Sequence, residues 1–290
     1  MQIPKASLRR KLATFLEEDV GLGDITTDAI VPEGTHIRAQ IVAKEDAVIA
    51  GIFEAEVFFK MLGVKFNAMV EDGEEIPSGK VIAEIEGDGR TILMAERTIL
   101  NLIMRMSGIA TATLRLVKKV RDVGFNVKIA ATRKTVSGLR YFDKKAVIIG
   151  GGDPHRLRLD DAFLIKDNHI EIAGSISEAV RRVRKNASFS KKIEVEARTL
   201  EQAVEAAKLG VDIVMIDNMK VEEAEKTIET LKKLNLRDKI LIEISGGVKE
   251  ENILEYAKLR PDIISLGSLT HSVRSIDLSL EVVEVQTNKT

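Results

Sequence analysis

No cysteine occurs among the 290 residues, which excludes disulfides, thiolate nucleophiles and thiolate-bound zinc. Tryptophan is absent as well, and aromatic residues make up only 4%, too few for a platform on which single-stranded bases stack. An excess of charge of one sign is also missing. The 44 Lys and Arg meet 45 Asp and Glu for a net −1, so no global field draws the chain to nucleic acid or an anionic membrane. No apolar run approaches the length needed to cross a bilayer. The opening stretch MQIPKASLRRKLATFLEEDVG reads as an amphipathic helix, without the apolar core and small-residue cleavage site of a secretory signal. Cytoplasmic residence is the expectation. What the chain does have is 44% hydrophobic residues, enough for a barrel-sized domain beside a smaller one. High charge (31%) without Cys or Trp also suits a heat-adapted source.

Residues 1–108 mix helix and short strands and are read as an α+β domain. IRAQIVAKEDAVIAG alternates as strand, turn, strand, and turn signals at Asp72-Gly73 and Ser78-Gly79 lead into a strand over Val81–Ile85. A long helical pattern follows Arg90, with Gly108 as its expected break. From there to residue 271 short strands alternate with helices. The strands are placed at Val127–Ala131, Ala162–Ile165, Ile193–Glu196, Asp212–Ile216, Ile240–Ile244 and Ile263–Leu266. Ser175 with Glu178, and Thr199 with Gln202, fit capping boxes, and Gly210 suits a helix C-terminus. Repeated β-α units predict an α/β fold with a parallel sheet, closed into a TIM-like barrel that is complete or nearly so. A doubly wound open sheet is the fallback. Residues from about 272 to 290 are expected to return to the N-terminal domain.

In such a barrel the chemistry gathers at the C-terminal ends of the strands. Those ends read Thr132-Arg133-Lys134, Lys166-Asp167-Asn168-His169, Glu196, Asp217-Asn218, Ser245-Gly246-Gly247 and Gly267-Ser268. Basic groups follow the early strands, acidic groups the middle ones and glycines the late ones. Between Arg133 and Lys166 eight Lys and Arg face four Asp. Cations sharing one cleft repel and lose solvation unless an anion neutralises them. Arg133, Lys134, Arg156 and Lys166 are therefore assigned to an anion site. Arg140, Lys144, Lys145 and Arg158 are assigned to helix surfaces. Backbone N–H groups at the late Gly/Ser ends form a nest for a phosphate, although a lone Gly-Gly is ordinarily just a turn. Glu196 and Asp217 suit a ribose diol or a Mg²⁺ ion with a pyrophosphate, since hard oxygen ligands fit that cation. Either one alone would pass for a helix N-terminal charge.

Of the four histidines, His36 reads as an inert strand residue and His169 as a hydrogen-bonded loop residue. His271 is either structural or near the phosphate. His155, after three consecutive glycines in GGGDPHRLRLDD, is the best placed to touch a substrate. No pair of histidines has metal-ligand spacing.

Several motifs converge. EEDVGLGDITT (17–27), ERTILNLIMRMSGIAT (96–111), ATRKTVSGLR (131–140), GGGDPHRLRLDDAFLIKDNHI (150–170), IEVEA (193–197), IDN (216–218), IEISGG (242–247) and LGSLTHS (266–272) resemble the quinolinate phosphoribosyltransferases over nearly the whole chain. The resemblance implies transfer of phosphoribosyl from phosphoribosyl pyrophosphate to quinolinate with loss of CO₂, assisted by Mg²⁺. It also implies a homodimer with shared active sites, or a higher assembly built on one, whose N-terminal domain completes the partner's barrel. By the same match Arg97, Thr132, Arg133, Lys134, His155, Arg156 and Lys166 would hold quinolinate. Glu196 and Asp217 would face the ribose and Mg²⁺-pyrophosphate, and Ser245, Gly246, Gly247, Gly267 and Ser268 the 5′-phosphate. Lys134, Lys166, Glu196 and Asp217 would carry the catalysis. Ala131, Ser137 and Pro154 stand where the family often has Asp, Pro and Asn, and none of them removes a charged ligand.

Rival readings are a molybdenum-transport-linked or nicotinate-specific transferase on the same scaffold, a Schiff-base aldolase using Lys166, and a non-catalytic phosphate-binding protein. The last leaves the basic cluster unexplained.

Overall fold

The computed structural model describes residues 1–286. Along the chain run α1 (Lys5–Val20), α2 (Ile25–Ile30), β1 (His36–Ala43), β2 (Ala47–Val48), α3 (Ile52–Met61), β3 (Lys65–Ala68), β4 (Glu75–Ile76), β5 (Val81–Asp88) and α4 (Gly89–Arg121). Then come β6 (Lys128–Ala131), α5 (Arg140–Ile149), β7 (Phe163–Ile165), α6 (Asp167–Ala173), α7 (Ile176–Asn186), β8 (Ile193–Ala197), α8 (Leu200–Lys208) and β9 (Ile213–Asp217). The remainder is α9 (Val221–Lys233), β10 (Leu241–Ser245), α10 (Ile253–Lys258), β11 (Ile263–Leu266), α11 (Ser268–His271) and β12 (Leu278–Gln286). No helix among the described residues is long and apolar enough to cross a membrane.

Two compact units emerge. The first takes residues 1–112 and 148–150 and the chain from Val273 onward; the second takes 113–147 and 151–272. In the first, an antiparallel sheet runs β12-β1-β5-β3. β12 is drawn from the C-terminal segment that was expected to return here, of which residues 287–290 lie outside the described residues. Ile37, Ala39 and Ile41 of β1 are buried while His36, Arg38 and Gln40 turn outward, the alternation of a half-buried strand.

Gly108 does not end α4, which runs unbroken to Arg121. A Cβ there would lie 2.2 Å from the Arg274 carbonyl oxygen and 3.1 Å from Ser275 Cα. The glycine permits a close backbone crossing, where the sequence suggested a helix stop.

The second unit is built on six parallel strands in the order β6-β11-β10-β9-β8-β7. These are the six strands expected from the sequence, each within a residue or so. Among the described residues no ladder joins β6 to β7, so the barrel is incomplete at that seam. Each strand is followed by a helix, and the two caps read from the sequence, at α7 and α8, are present. Ser175 accepts from the Glu178 N–H at 3.1 Å and Thr199 from the Gln202 N–H at 3.2 Å, and Gly210 takes the positive φ that ends α8.

The period of two decides what faces inward. Val195, Val214, Ile216, Ile242, Ile244 and Ile264 are buried apolar residues on one face of the sheet. Their alternates toward the C-terminal ends of β8, β9 and β10 are mostly polar. Glu194 and Glu196 on β8, Met215 and Asp217 on β9, and Glu243 and Ser245 on β10 share the other face. Register puts Met215 beside both Glu196 and Glu243, and Ser245 beside both Asp217 and Ser265. The sheet thus presents rows of carboxylates inside.

Candidate active site

A cavity of about 510 Å³ opens at the C-terminal ends of the strands. Among the residues expected there, Thr132, Arg133, Lys134, His155, Arg156, Lys166, Glu196, Asp217 and Ser245 line it. Gly246, Gly247, Gly267 and Ser268 do not, although Gly246 abuts Asn218 and Gly267 abuts Lys134, both of which line it. Gly246 and Gly247 both take positive φ, and a Cβ on Gly246 would strike the Asn218 amide at 2.4 Å. A Cβ on Gly267 would sit 3.0 Å from Lys134 Cδ, so the late glycine ends turn beside the basic wall. Ser268 opens α11. Arg97 belongs to the first unit, on α4, exposed and 3.6 Å from Glu96.

The basic wall is under strain of charge. Arg156 has its pKa lowered by burial and by the neighbouring Arg133 guanidinium. It spends one N–H on the Ala162 carbonyl at 3.3 Å. Arg133 Nε is buried and, among the described residues, has no hydrogen-bond partner. A buried donor left in this way costs on the order of 1–3 kcal/mol or more, and an anion entering the cavity would satisfy it.

Lys144 and Lys145 are not surface charges as expected. Both are buried on the inner side of α5, Lys144 with no exposed surface at all. Lys144 Nζ donates to the Pro154 carbonyl, and burial, followed by the Arg140 charge, pushes its pKa down to about 8. Arg140 itself is half-buried, its Nε on Thr135 Oγ1 at 3.2 Å, and Arg158 is exposed.

Below the wall lies a cluster the motifs did not reveal. His155 Nε2 is 3.0 Å from Glu243 Oε2 and 3.5 Å from Glu194 Oε2, and both carboxylates are almost wholly buried. The other oxygen of each is buried without a hydrogen bond. Burial works against a charged ring, but the two carboxylates outweigh it and push the His155 pKa up to about 10. Burial raises Glu194 as well. The Arg156 N–H points at His155 Nδ1 at 2.7 Å, a contact that suits only a ring unprotonated at Nδ1. The two indications conflict, and the pair of buried carboxylates, the stronger influence, decides for the charged ring, with Nδ1 left in close contact with the Arg156 N–H. These three side chains offer ligand atoms within 4.8 Å of one another, but Nε2 is already taken up by its hydrogen bond. His155 holds this geometry at φ +52, fixed by its own N–H on Asp153 Oδ1 at 2.7 Å.

Opposite stands the acidic side. Glu196 gives one oxygen to Lys166 Nζ at 3.4 Å and the other to Arg198 at 3.5 Å. Burial, followed by the Asp217 charge, raises its pKa against the pull of Lys166 and Arg198. Asp217 also accepts from Asn218 Nδ2 at 2.8 Å. Two hard carboxylates drawn onto one cation form a donor set of the kind Mg²⁺ prefers. Ser245 Oγ accepts from Ser265 at 2.9 Å. The remaining histidines are not among the residues that line the cavity, although the His271 ring lies against Gly267. His169 Nδ1 accepts from the Lys166 N–H at 3.0 Å, His271 pairs with Ser272 and His36 lies on the exposed face of β1.

Family models divide the chain in two. Residues 24–107 match the N-terminal domain of quinolinate phosphoribosyl transferase and residues 109–281 its C-terminal domain. A probable nicotinate-nucleotide pyrophosphorylase (carboxylating) of Methanocaldococcus jannaschii is 52% identical over 277 residues, spanning 95% of this chain and 97% of that protein. Its counterpart in Bacillus subtilis is 40% identical, over 95% and 93%. The solved nicotinate-nucleotide pyrophosphorylase of Francisella tularensis superposes with a TM-score of 0.86 at 36% identity, covering 97% of this chain and 98% of that one.

Proposed function

The chain belongs to the quinolinate phosphoribosyltransferase family, and on that footing we propose the residues through which it works. It transfers the phosphoribosyl group of phosphoribosyl pyrophosphate to quinolinate with loss of CO₂. The products are nicotinate mononucleotide and pyrophosphate, in the de novo synthesis of NAD.

The observation that carries the site assignment is the buried, unpartnered Arg133 Nε beside Arg156, in a cavity also lined by Lys134 and Lys166. A planar dicarboxylate answers it, because a guanidinium fork accepts a carboxylate bidentately. Thr132 sits at the same strand end. His155, with its nitrogens turned to Glu243 and the Arg156 N–H, braces Arg156 from below. Arg97 fits the remaining quinolinate contact if supplied by the N-terminal domain of a partner in a homodimer. Mixing Arg97→Ala with Arg133→Ala protein should then restore turnover that neither shows alone.

The chemistry follows from charge. As pyrophosphate leaves, positive charge develops on the ribose, and Glu196 and Asp217 are carboxylates of the cavity suited to stabilise it. Mg²⁺ bound by these two residues would neutralise the leaving group. Ser245, Gly246, Gly247, Gly267 and Ser268 provide turns and N–H groups for the 5′-phosphate. Lys134 and Lys166, which line the same cavity, are suited to orient the ring nitrogen toward C1. Once that nitrogen is cationic the adjacent carboxylate loses CO₂ with little help from a base, so no protein nucleophile is invoked.

Release of labelled CO₂ from carboxyl-labelled quinolinate, dependent on phosphoribosyl pyrophosphate, tests the reading. Turnover of nicotinate in its place would mark a nicotinate-specific relative instead. Lys166 is half-exposed and ion-paired, unlike the desolvated lysine of a Schiff-base aldolase.

A further inference from the structure

Arg198 follows β8 directly, and no motif singled it out. Its guanidinium meets three carboxylates from three elements. Asp167 Oδ2 at the start of α6 is 2.8 Å away, while Glu196 Oε1 on β8 and Asp217 Oδ2 on β9 are each 3.5 Å away. Without a cation there, three negative groups at one edge of the cavity would repel. Lys166 reaches only the other oxygen of Glu196, and Asn218 brings Asp217 a neutral donor.

The residue is built to let go. Its main-chain N–H is fixed on Gln202 Oε1 at 2.8 Å at the mouth of α8, while its side chain remains 52% exposed. The long stem can swing with the backbone at rest. Both carboxylates assigned to the metal give one oxygen each to this guanidinium.

We propose that Arg198 is the resident counter-cation of the acidic cluster, holding Glu196 and Asp217 before substrate enters and yielding them to the divalent ion. The inference rests on the reading of those two residues as metal ligands. Displacing a positive charge makes a bare divalent ion a poor competitor. A pyrophosphate-bound ion competes better, because its oxygens give the released guanidinium a new bidentate partner. The exchange therefore favours entry of metal and pyrophosphate together.

Mn²⁺ titrated into the full chain without substrates, with free ion followed by its paramagnetic resonance signal, tests this without turnover. Arg198→Gln should bind Mn²⁺ roughly fivefold or more tightly than wild type, the effect of one nearby charge in a wet site. Arg198→Lys, which keeps the charge, should stay close to wild type. Adding Asp217→Asn to Arg198→Gln should abolish the gain. In wild type, pyrophosphate should tighten Mn²⁺ binding. Equal or weaker binding by a cooperatively melting Arg198→Gln protein overturns the proposal, as does a gain that survives Asp217→Asn. Absence of any pyrophosphate effect in wild type overturns it too, whether or not the variants fold. An error in the enzymatic reading shows separately, as absent CO₂ release beside an intact Mn²⁺ result.

Discussion

Lys144 reaches from α5 to the carbonyl of Pro154, the residue directly before His155. The Asp153–Arg156 segment is thereby held from several sides. Asp153 bridges Ala130, its carbonyl accepting from the Ala131 N–H at 3.0 Å. His155 is held by Glu243 below. A side chain outside the cavity thus sets the position of Arg156 inside it.

Lys144→Met should accordingly raise KM for quinolinate more than KM for phosphoribosyl pyrophosphate. It should also lower stability by about 1–3 kcal/mol through the unpaired carbonyl. Steady-state kinetics and a denaturant melt report both. Equal change in the two Michaelis constants would count against a positioning role.

On the proposed reading, Arg133→Ala or Lys166→Ala removes a charge-assisted contact to a dianion from the cavity both residues line. Each should lower kcat/KM by several kcal/mol, about a hundredfold or more, with an unchanged melt. Turnover like wild type in either variant would take that residue out of the site.

Stability against pH should carry the signature of His155. A pKa raised from 6.5 to about 10 in the fold means the charged ring stabilises fully below about pH 6.5, and the contribution is lost as pH rises through about 10. Lys144 works in the opposite sense. Its value, lowered from 10.5 to about 8, lets the unfolded chain bind the extra proton, so stability from this group rises over that window. Between pH 6.5 and 8 the histidine is the one that loses. Wild type should lose roughly 1 kcal/mol per pH unit there relative to His155→Asn. Parallel urea-derived stability curves for the two proteins would refute it.

Gly108→Ala sets helix propensity against a collision. Alanine is favoured by about 1 kcal/mol inside a helix, but the added carbon would lie 2.2 Å from the Arg274 carbonyl oxygen. The collision should win, at about 1–3 kcal/mol. A raised Tm would show that the Arg274 segment gives way freely.

The strands of the second unit were legible because short apolar runs recur at β-α spacing, helped by caps at Ser175 and Thr199 and by glycines after the late strands. The basic and acidic ends of those strands were legible for the same reason. Lys144 was not, because YFDKKAV carries the charges of an ordinary surface helix and its partner, the Pro154 carbonyl, has no side-chain signature. Glu194 and Glu243 were open to discovery. Each stands two positions before a residue already placed in the site, Glu196 and Ser245, and in a strand that spacing means the same face. Arg198 needed one further step past the end of β8. Gly108 misled because a glycine inside a helix signals a stop and a close approach alike. Arg97 lies in the other unit, so neither strand order nor register relates it to the cavity.

β1 is made early in the sequence, from residues 36–43, and its neighbour β12 only from residues 278–286. During synthesis, then, one edge of β1 has no native strand to bond until residues 278–286 have left the ribosome, whereas every strand of the six-stranded unit has emerged before that moment. Vectorial folding would complete the interior of the chain first and its sequence-distant ends last. A nascent chain stalled short of residue 278 should leave the Ile37, Ala39 and Ile41 strand short of a neighbour and open to chaperones.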